Sequence, residues 1–141
     1  MNLAGKTAVV TGGSRGIGFA IARALLAGGA NVVITGTQQE TLDTAVRELS
    51  GAPGQGAQVD RVRADVRRYA EVEQLMTSTV KRFGGIDILI NNAGIGVFGP
   101  AAEMTVEDWD AIIETNLSGV FYCCRAAIPH LRARGESWII N

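Results

Sequence analysis

Residues 11–18 read Thr-Gly-Gly-Ser-Arg-Gly-Ile-Gly, with Gly12, Gly16 and Gly18 set between a short β-branched run and a helical pattern. Glycine at such a junction lets the backbone turn sharply, and the start of a helix presents unpaired N–H groups and a partial positive charge. The chemistry open to this segment is therefore the holding of an anion such as a pyrophosphate. The same triplet also suits a tight strand-to-helix turn with no ligand, and its spacing departs from the common Gly-x-Gly-x-x-Gly pattern, so the triplet alone leaves both readings open. Other candidate polar residues are Asp65 before Val66, the run Asn91-Asn92-Ala93-Gly94, and Asn116.

The elements that must position these residues follow from hydrophobic spacing. Residues 6–11 form a β-branched strand, and Ile17, Ala20, Ile21, Ala24 and Leu25 recur at helical intervals until Gly28 and Gly29 end the helix. Residues 31–35 are a continuous apolar run, as expected of a strand covered on both faces. A helix over residues 39–49, a Gly/Pro-rich loop over 50–56 and a third, poorly alternating strand around 58–64 come next. Residues 69–83 are helical and stop at Gly84-Gly85; residues 86–90 are the fourth strand. After an Asn- and Gly-rich loop, Thr105 and Asp108 resemble a helix cap, and a long helix runs toward Leu131, with Gly119 and Pro129 as places for a bend. Residues 137–141 begin a fifth strand. Strands alternating with helices predict an α/β fold with a doubly wound parallel sheet and right-handed crossovers. Ligands of such sheets sit beyond the carboxyl ends of the strands, which is where residues 12–18, 36–38, 64–67 and 91–96 fall.

At 141 residues the chain predicts one domain, 1–141, and 47% hydrophobic with 19% charged residues is the balance of a globular protein. A net charge of -1, with 13 basic and 14 acidic residues mixed along the chain, argues against a nucleic-acid or anionic-membrane partner and for a small molecule. With no membrane-length apolar stretch and no signal-like N-terminus, the expected address is cytoplasmic. Cys123 and Cys124 are adjacent, which disfavours a disulfide between them and lacks metal-ligand spacing, so no metal is expected and both read as small core hydrophobes.

Thr-Gly-x-x-x-Gly-x-Gly after the first strand, Asp65-Val66 after the third, Asn91-Asn92-Ala93-Gly94 after the fourth and Asn116 in the following helix together resemble the short-chain dehydrogenase/reductase family. The match runs in order along essentially the whole chain. It implies a Rossmann-like sheet of order 3-2-1-4-5, here truncated after the fifth strand, and an NAD(P)-dependent oxidoreductase that exchanges a hydride with a carbonyl or hydroxyl substrate. It also implies roles. Gly12, Gly16 and Gly18 line the pyrophosphate, Ile17 contributes a backbone N–H and apolar contact, and Ser14 and Arg15 lie by the adenosine ribose. Asp65 accepts from the adenine amino group, Val66 packs on the ring, the side-chain amides of Asn91 and Asn92 tie neighbouring strand ends together, and the small Ala93 and Gly94 let the adenosine ribose lie against the backbone. Read without the resemblance, Asp65 is also an ordinary loop acid and Asn116 a structural helix asparagine.

An acid at the end of strand two would select NAD, but Gly36 stands there. Relatives that prefer NADP often carry bases at the positions of Thr37 and Arg15; one of the two is present, so NADP is the expected cofactor, with NAD as the alternative. The family's chemistry uses an upstream Ser and a Tyr-x-x-x-Lys pair, and the resemblance makes Asn116 the remaining member of that catalytic group, kinking its helix and holding a water that connects the lysine to solvent. Four residues beyond Tyr69 is Glu73, and four beyond Tyr122 is Ala126, so neither tyrosine qualifies. His130, near Pro129, reads as a helix-end residue. The expectation is a chain that binds cofactor but is inactive alone, with its fifth strand an uncovered edge prone to association and its full-length relatives homo-oligomers. A non-catalytic dinucleotide-binding or interaction module is the alternative.

Overall fold

A computed structural model describes residues 2–51 and 56–141. Most of the loop expected over 50–56 therefore lies outside the described residues. β1 (Thr7–Thr11), β2 (Asn31–Gly36), β3 (Val59–Arg63), β4 (Ile88–Ile90) and β5 (Trp138–Ile140) form a parallel sheet in the order β3-β2-β1-β4-β5, the order expected. The helices are α1 (Gly16–Ala27), α2 (Gln39–Leu49), α3 (Tyr69–Phe83), α4 (Val106–Ile113) and α5 (Gly119–Arg132), the last two joined by a π-helical turn, Glu114–Ser118.

All five residues of β1 are buried, because successive side chains point to opposite faces and both faces are covered. Ala8 and Val10 pack with Ala22 and Leu26 of α1 and Leu42 and Ala45 of α2. Val9 packs on the other side with Leu75 and Met76 of α3 and Cys123 and Ala127 of α5. The poor alternation of strand three has its reason in place: β3 is an edge strand, with no fully buried residue. β5 is the other edge, where Trp138, Ile139 and Ile140 are exposed.

Helix ends fall where the glycines predicted. Gly28 caps α1 and is followed by Gly29 at φ 93°, while Gly84 ends α3 in the left-handed region. Thr105 Oγ1 accepts the Asp108 N–H at 3.0 Å, the cap read from sequence. The helix is irregular at the π turn Glu114–Ser118, which contains Asn116 and ends immediately before Gly119, while α5 continues through Pro129 to Arg132. Gly119 packs so closely on Val66 that a Cβ there would lie 2.8 Å from Val66 Cγ2.

At the amino ends of the strands, Asp87 is buried beside the start of β4 and is tied to β1 through its side chain and to β5 through its carbonyl, which accepts the Trp138 N–H at 2.9 Å. The side chain accepts the Thr7 N–H at 2.9 Å and an Arg134 Nε bond at 2.9 Å, with Lys6 Nζ at 3.5 Å. Lys6 also lies over the Trp138 ring. Cys123 is a buried core residue, as expected; burial, with Cys124 beside it, pushes its thiol pKa up to about 12. Among the described residues no helix is long and apolar enough to cross a membrane, and no three His, Cys, Asp or Glu side chains gather as a metal site.

Candidate functional site

Strand order reverses between β1 and β4, and the loops leaving their carboxyl ends part there to leave a crevice. Four glycines form the turn on the β1 side, for different reasons. Gly12 has φ 63°, and a Cβ on it would sit 3.0 Å from Ala93 Cα and Asn92 Nδ2, so it lets the turn lie against the end of β4. Gly13 abuts the Ile34 side chain, where a Cβ would come within 2.7 Å, and its N–H donates to Thr35 O. Gly18 is buried, and a Cβ there would lie 2.3 Å from the Gly12 carbonyl oxygen. Gly16 differs: it has φ 56° and nothing within 4 Å, so it opens toward the crevice. α1 begins with no side-chain cap and no acidic residue in its first turn. Its first N–H groups and partial positive charge are thus directed at the crevice without an internal anion to satisfy them.

The β4 side is held by Thr11. Its hydroxyl donates to Ile90 O at 3.3 Å and accepts the N–H groups of Asn92 and Ala93 at 3.0 and 2.9 Å. Asn92 reciprocates, its Nδ2 donating to the Thr11 and Gly12 carbonyls at 3.0 and 3.2 Å. Asn91 does the same toward the next strand, donating to Asn141 Oδ1 at 2.7 Å. The strand-tying role read for the asparagine amides is therefore visible at both residues. Thr11→Val keeps the shape of the residue but removes the acceptor of two partly buried N–H groups. It is expected to cost about 2 kcal/mol in urea unfolding, with most of that loss absent in Thr11→Ser.

The resulting cleft has a volume of about 580 Å³. Of the residues given a cofactor or catalytic role from sequence, all but Gly18 and Asn116 line it, and Asn91 lies outside it, tied toward β5. Gly18 lies beneath the turn, packing helix to strand. Asn116 sits in the π turn and grips the loop after β4: its Oδ1 accepts the Ile95 N–H at 2.9 Å and its Nδ2 donates to Ile95 O at 2.8 Å. Ile17, 74% exposed, stands at the mouth of the cleft, and Val66 is buried in its wall. Tyr69 and Tyr122 are elsewhere, stacked edge to face between α3 and α5 at 5.6 Å. His130 lies in the last turn of α5, as read.

Among the described residues, three charged side chains line the cleft: Arg15, Asp65 and Arg67. Asp65 and Arg67 are paired, with Arg67 Nη2 2.6 Å from Asp65 Oδ2. Hydrogen bonds from the Arg67 side chain outweigh burial and hold the Asp65 carboxyl below its ordinary pKa. Among the described residues, Arg15 is the cation of the cleft with no carboxylate against it. Sequence reading placed Gln38, Arg67 and Ile95 in the cleft-facing loops but gave them no role, and it missed Thr41 and Thr115 in the walls. The signal for Arg67 was present, two residues beyond Asp65. Thr11 was quoted in the glycine motif but given no role.

A five-stranded parallel sheet of this order, wound on both faces and open at the reversal point, defines a Rossmann-like α/β protein. The sequence matches the short chain dehydrogenase family over residues 6–141, and the chain belongs to that family. It is 43% identical over 139 residues to D-beta-hydroxybutyrate dehydrogenase of Cupriavidus necator, covering 99% of this chain and 53% of that protein. It is 42% identical to 3beta-hydroxysteroid dehydrogenase 1 of Eggerthella lenta, covering 99% and 52%. A metagenomic short-chain oxidoreductase, solved in complex with NADP, superposes with a TM-score of 0.89 at 39% identity, over 99% of this chain and 62% of that one. The chain thus spans about half the length of the curated relatives it matches.

Proposed function

We propose that residues 1–141 are the NAD(P)-binding Rossmann part of an oxidoreductase of the short-chain type, with NADP the preferred cofactor. The observation that carries this reading is the uncapped start of α1, facing a cleft at the sheet's reversal point across an open Gly16. The cleft fits a dinucleotide in three respects. Backbone N–H groups are free to hold a diphosphate. Asp65 offers an acceptor and Val66 an apolar wall at one end. No acid stands at the end of β2, where Gly36, Thr37 and Gln38 line the cleft near Arg15, so a 2'-phosphate meets a cation and no repelling carboxylate. The solved relative with NADP supports the same choice.

When bound, the nicotinamide supplies hydride exchange with a carbonyl or hydroxyl group. This chain's own residues hold and orient it: Gly12 and Gly16 by backbone approach, Ser14, Arg15 and Thr37 at the adenosine ribose, and Asn92, Ala93 and Gly94 along the opposite wall. Ile17 marks the nicotinamide end. Asn116 acts on this site through Ile95, whose backbone it fixes.

Fluorescence titration with NADPH and NADH tests the reading. NADPH is expected to bind about tenfold more tightly, the equivalent of about 1.4 kcal/mol. Tenfold tighter NADH would reverse the cofactor choice, and no binding of either would remove the function proposed. One observation favours a second reading for the 141 residues on their own. Neither tyrosine carries a lysine four residues on, and neither lines the cleft, so this chain alone is a dinucleotide-binding module without turnover.

A further inference from the structure

Thr115 reaches the cleft from the π turn, and its hydroxyl has no use inside the protein. The residue is 9% exposed, and the cleft is what it lines. Among the described residues, Asn91 Oδ1 is the one side-chain oxygen or nitrogen that is both sealed from solvent and without a hydrogen-bond partner. Thr115 Oγ1 makes no hydrogen bond to the described protein groups either, so it is not sealed. The small exposed part of the residue includes its oxygen, and that oxygen opens into the cleft.

The π turn accounts for this. A threonine within a regular helix commonly returns its hydroxyl to the carbonyl four residues back, as Thr79 of α3 does to Leu75 O at 2.8 Å. The turn Glu114–Ser118 widens the helix by one residue and changes the direction in which Thr115 points. Its neighbours on the same stretch say which part of the cleft it meets. Asn116, next in the chain, holds the backbone of Ile95 in the loop after β4, and Gly119, one turn on, packs on Val66 in the loop after β3. Thr115 thus stands between the Asp65–Val66 wall and the Gly94–Ile95 wall, at the end assigned above to adenosine. Building on the dinucleotide reading, we infer that Thr115 is a cofactor-binding residue: its hydroxyl hydrogen-bonds the adenosine half of the cofactor, a polar contact made from the helical layer and not from a strand-end loop. A hydroxyl both donates and accepts, so it serves a ring nitrogen or a ribose hydroxyl alike, whereas a methyl in its place serves neither. The same turn then fixes one wall through Asn116 and meets the ligand through Thr115.

The test uses Thr115→Val, which puts a methyl where the hydroxyl is, and Thr115→Ser, which keeps the hydroxyl. The probes are NADPH, followed by its fluorescence, and adenosine 2'-phosphate, which carries base and ribose but nothing of the nicotinamide end and is read by displacement of NADPH. Thr115→Val is expected to weaken both probes about fivefold, the scale of one neutral hydrogen bond, and Thr115→Ser to stay within about twofold of wild type. The urea midpoint of Thr115→Val is expected to match wild type, because no bond inside the protein is lost; a threonine with a merely structural role would lower it. Should valine not be accommodated, Thr115→Ala removes the hydroxyl without adding bulk and carries the same test. A valine variant that binds both probes as wild type does, or a serine variant that loses as much as valine, overturns the role of the hydroxyl. A loss seen with NADPH and absent with adenosine 2'-phosphate overturns its placement at adenosine. In each of these cases wild type still binds NADPH and the dinucleotide reading stands. Wild type that binds neither probe removes both.

Discussion

Gly18→Ala is expected to abolish measurable cofactor binding and to lower stability by about 3 kcal/mol, the upper end of what overpacking costs. The added Cβ would lie 2.3 Å from the Gly12 carbonyl oxygen and 2.5 Å from Asn92 Nδ2. The first of these is backbone, so no rotamer change relieves it. The turn must move away from β4, and it carries Gly12 and the start of α1 with it. A shift of about an ångström in positioned groups is worth about a hundredfold in function. Gly16→Ala is the comparison for stability, because its Cβ meets nothing within 4 Å and its stability cost is that of φ 56° alone, about 1–2 kcal/mol, while its place in the cleft lining means that it too weakens NADPH binding. Melting curves and NADPH titrations of both variants check the order. A Gly18→Ala protein that binds as wild type does would show that the turn is free to slide.

Asp87→Ala is expected to destabilise the protein by about 3–4 kcal/mol without touching the cleft. The Thr7 N–H would lose its buried acceptor, and Arg134 and Lys6 would lose the anion they share. Both cations are partly solvated, which keeps the cost below that of a wholly buried pair. Asp87→Asn retains an acceptor for Thr7 and is expected to cost less. The pH dependence follows in sign. Burial alone would raise the Asp87 pKa, but hydrogen bonds from Arg134 and Thr7 and the charges of Arg134 and Lys6 together hold it below its ordinary value. A carboxyl with a folded pKa below its unfolded value of about 3.9 stabilises fully above that value. The contribution is lost as pH falls through the folded pKa. Wild type should therefore lose stability below about pH 4, and Asp87→Ala should show a shallower acid limb in urea melts at stepped pH. Asp65, whose pKa is also lowered, leaves a residual slope in the variant.

These two residues mark where sequence reading reached and where it stopped. Gly18 belonged to a local pattern, and its place between a strand and a helix was legible because the β-branched run before it and the helical spacing after it have different periods. The strand order and the cleft-facing loops followed from the same alternation. Gly18 was nevertheless grouped with Gly16, since a missing side chain looks identical whether it makes room for a ligand or for a carbonyl. Asp87 gave no signal. Its partners lie 80 residues before it and 47 after it, and only the parallel registers of β1 and β5 on β4 bring them together. The Asn116–Ile95 clamp was hidden for a related reason, because a π turn shifts the helical phase without leaving a mark in the apolar pattern. Arg67 was given no role because an arginine in a polar loop reads as solvated until its fork is seen to close on a neighbour.

Thr11 has a thermodynamic consequence. One hydroxyl bridges the ends of β1 and β4, so the two lips of the crevice cannot separate without giving up three hydrogen bonds at once. The receptor is thus built in its receiving shape, and little ordering entropy remains to be lost when a guest arrives. The amides of Asn92 and Ala93, although they belong to a loop, should exchange with solvent as slowly as those of the strands they follow.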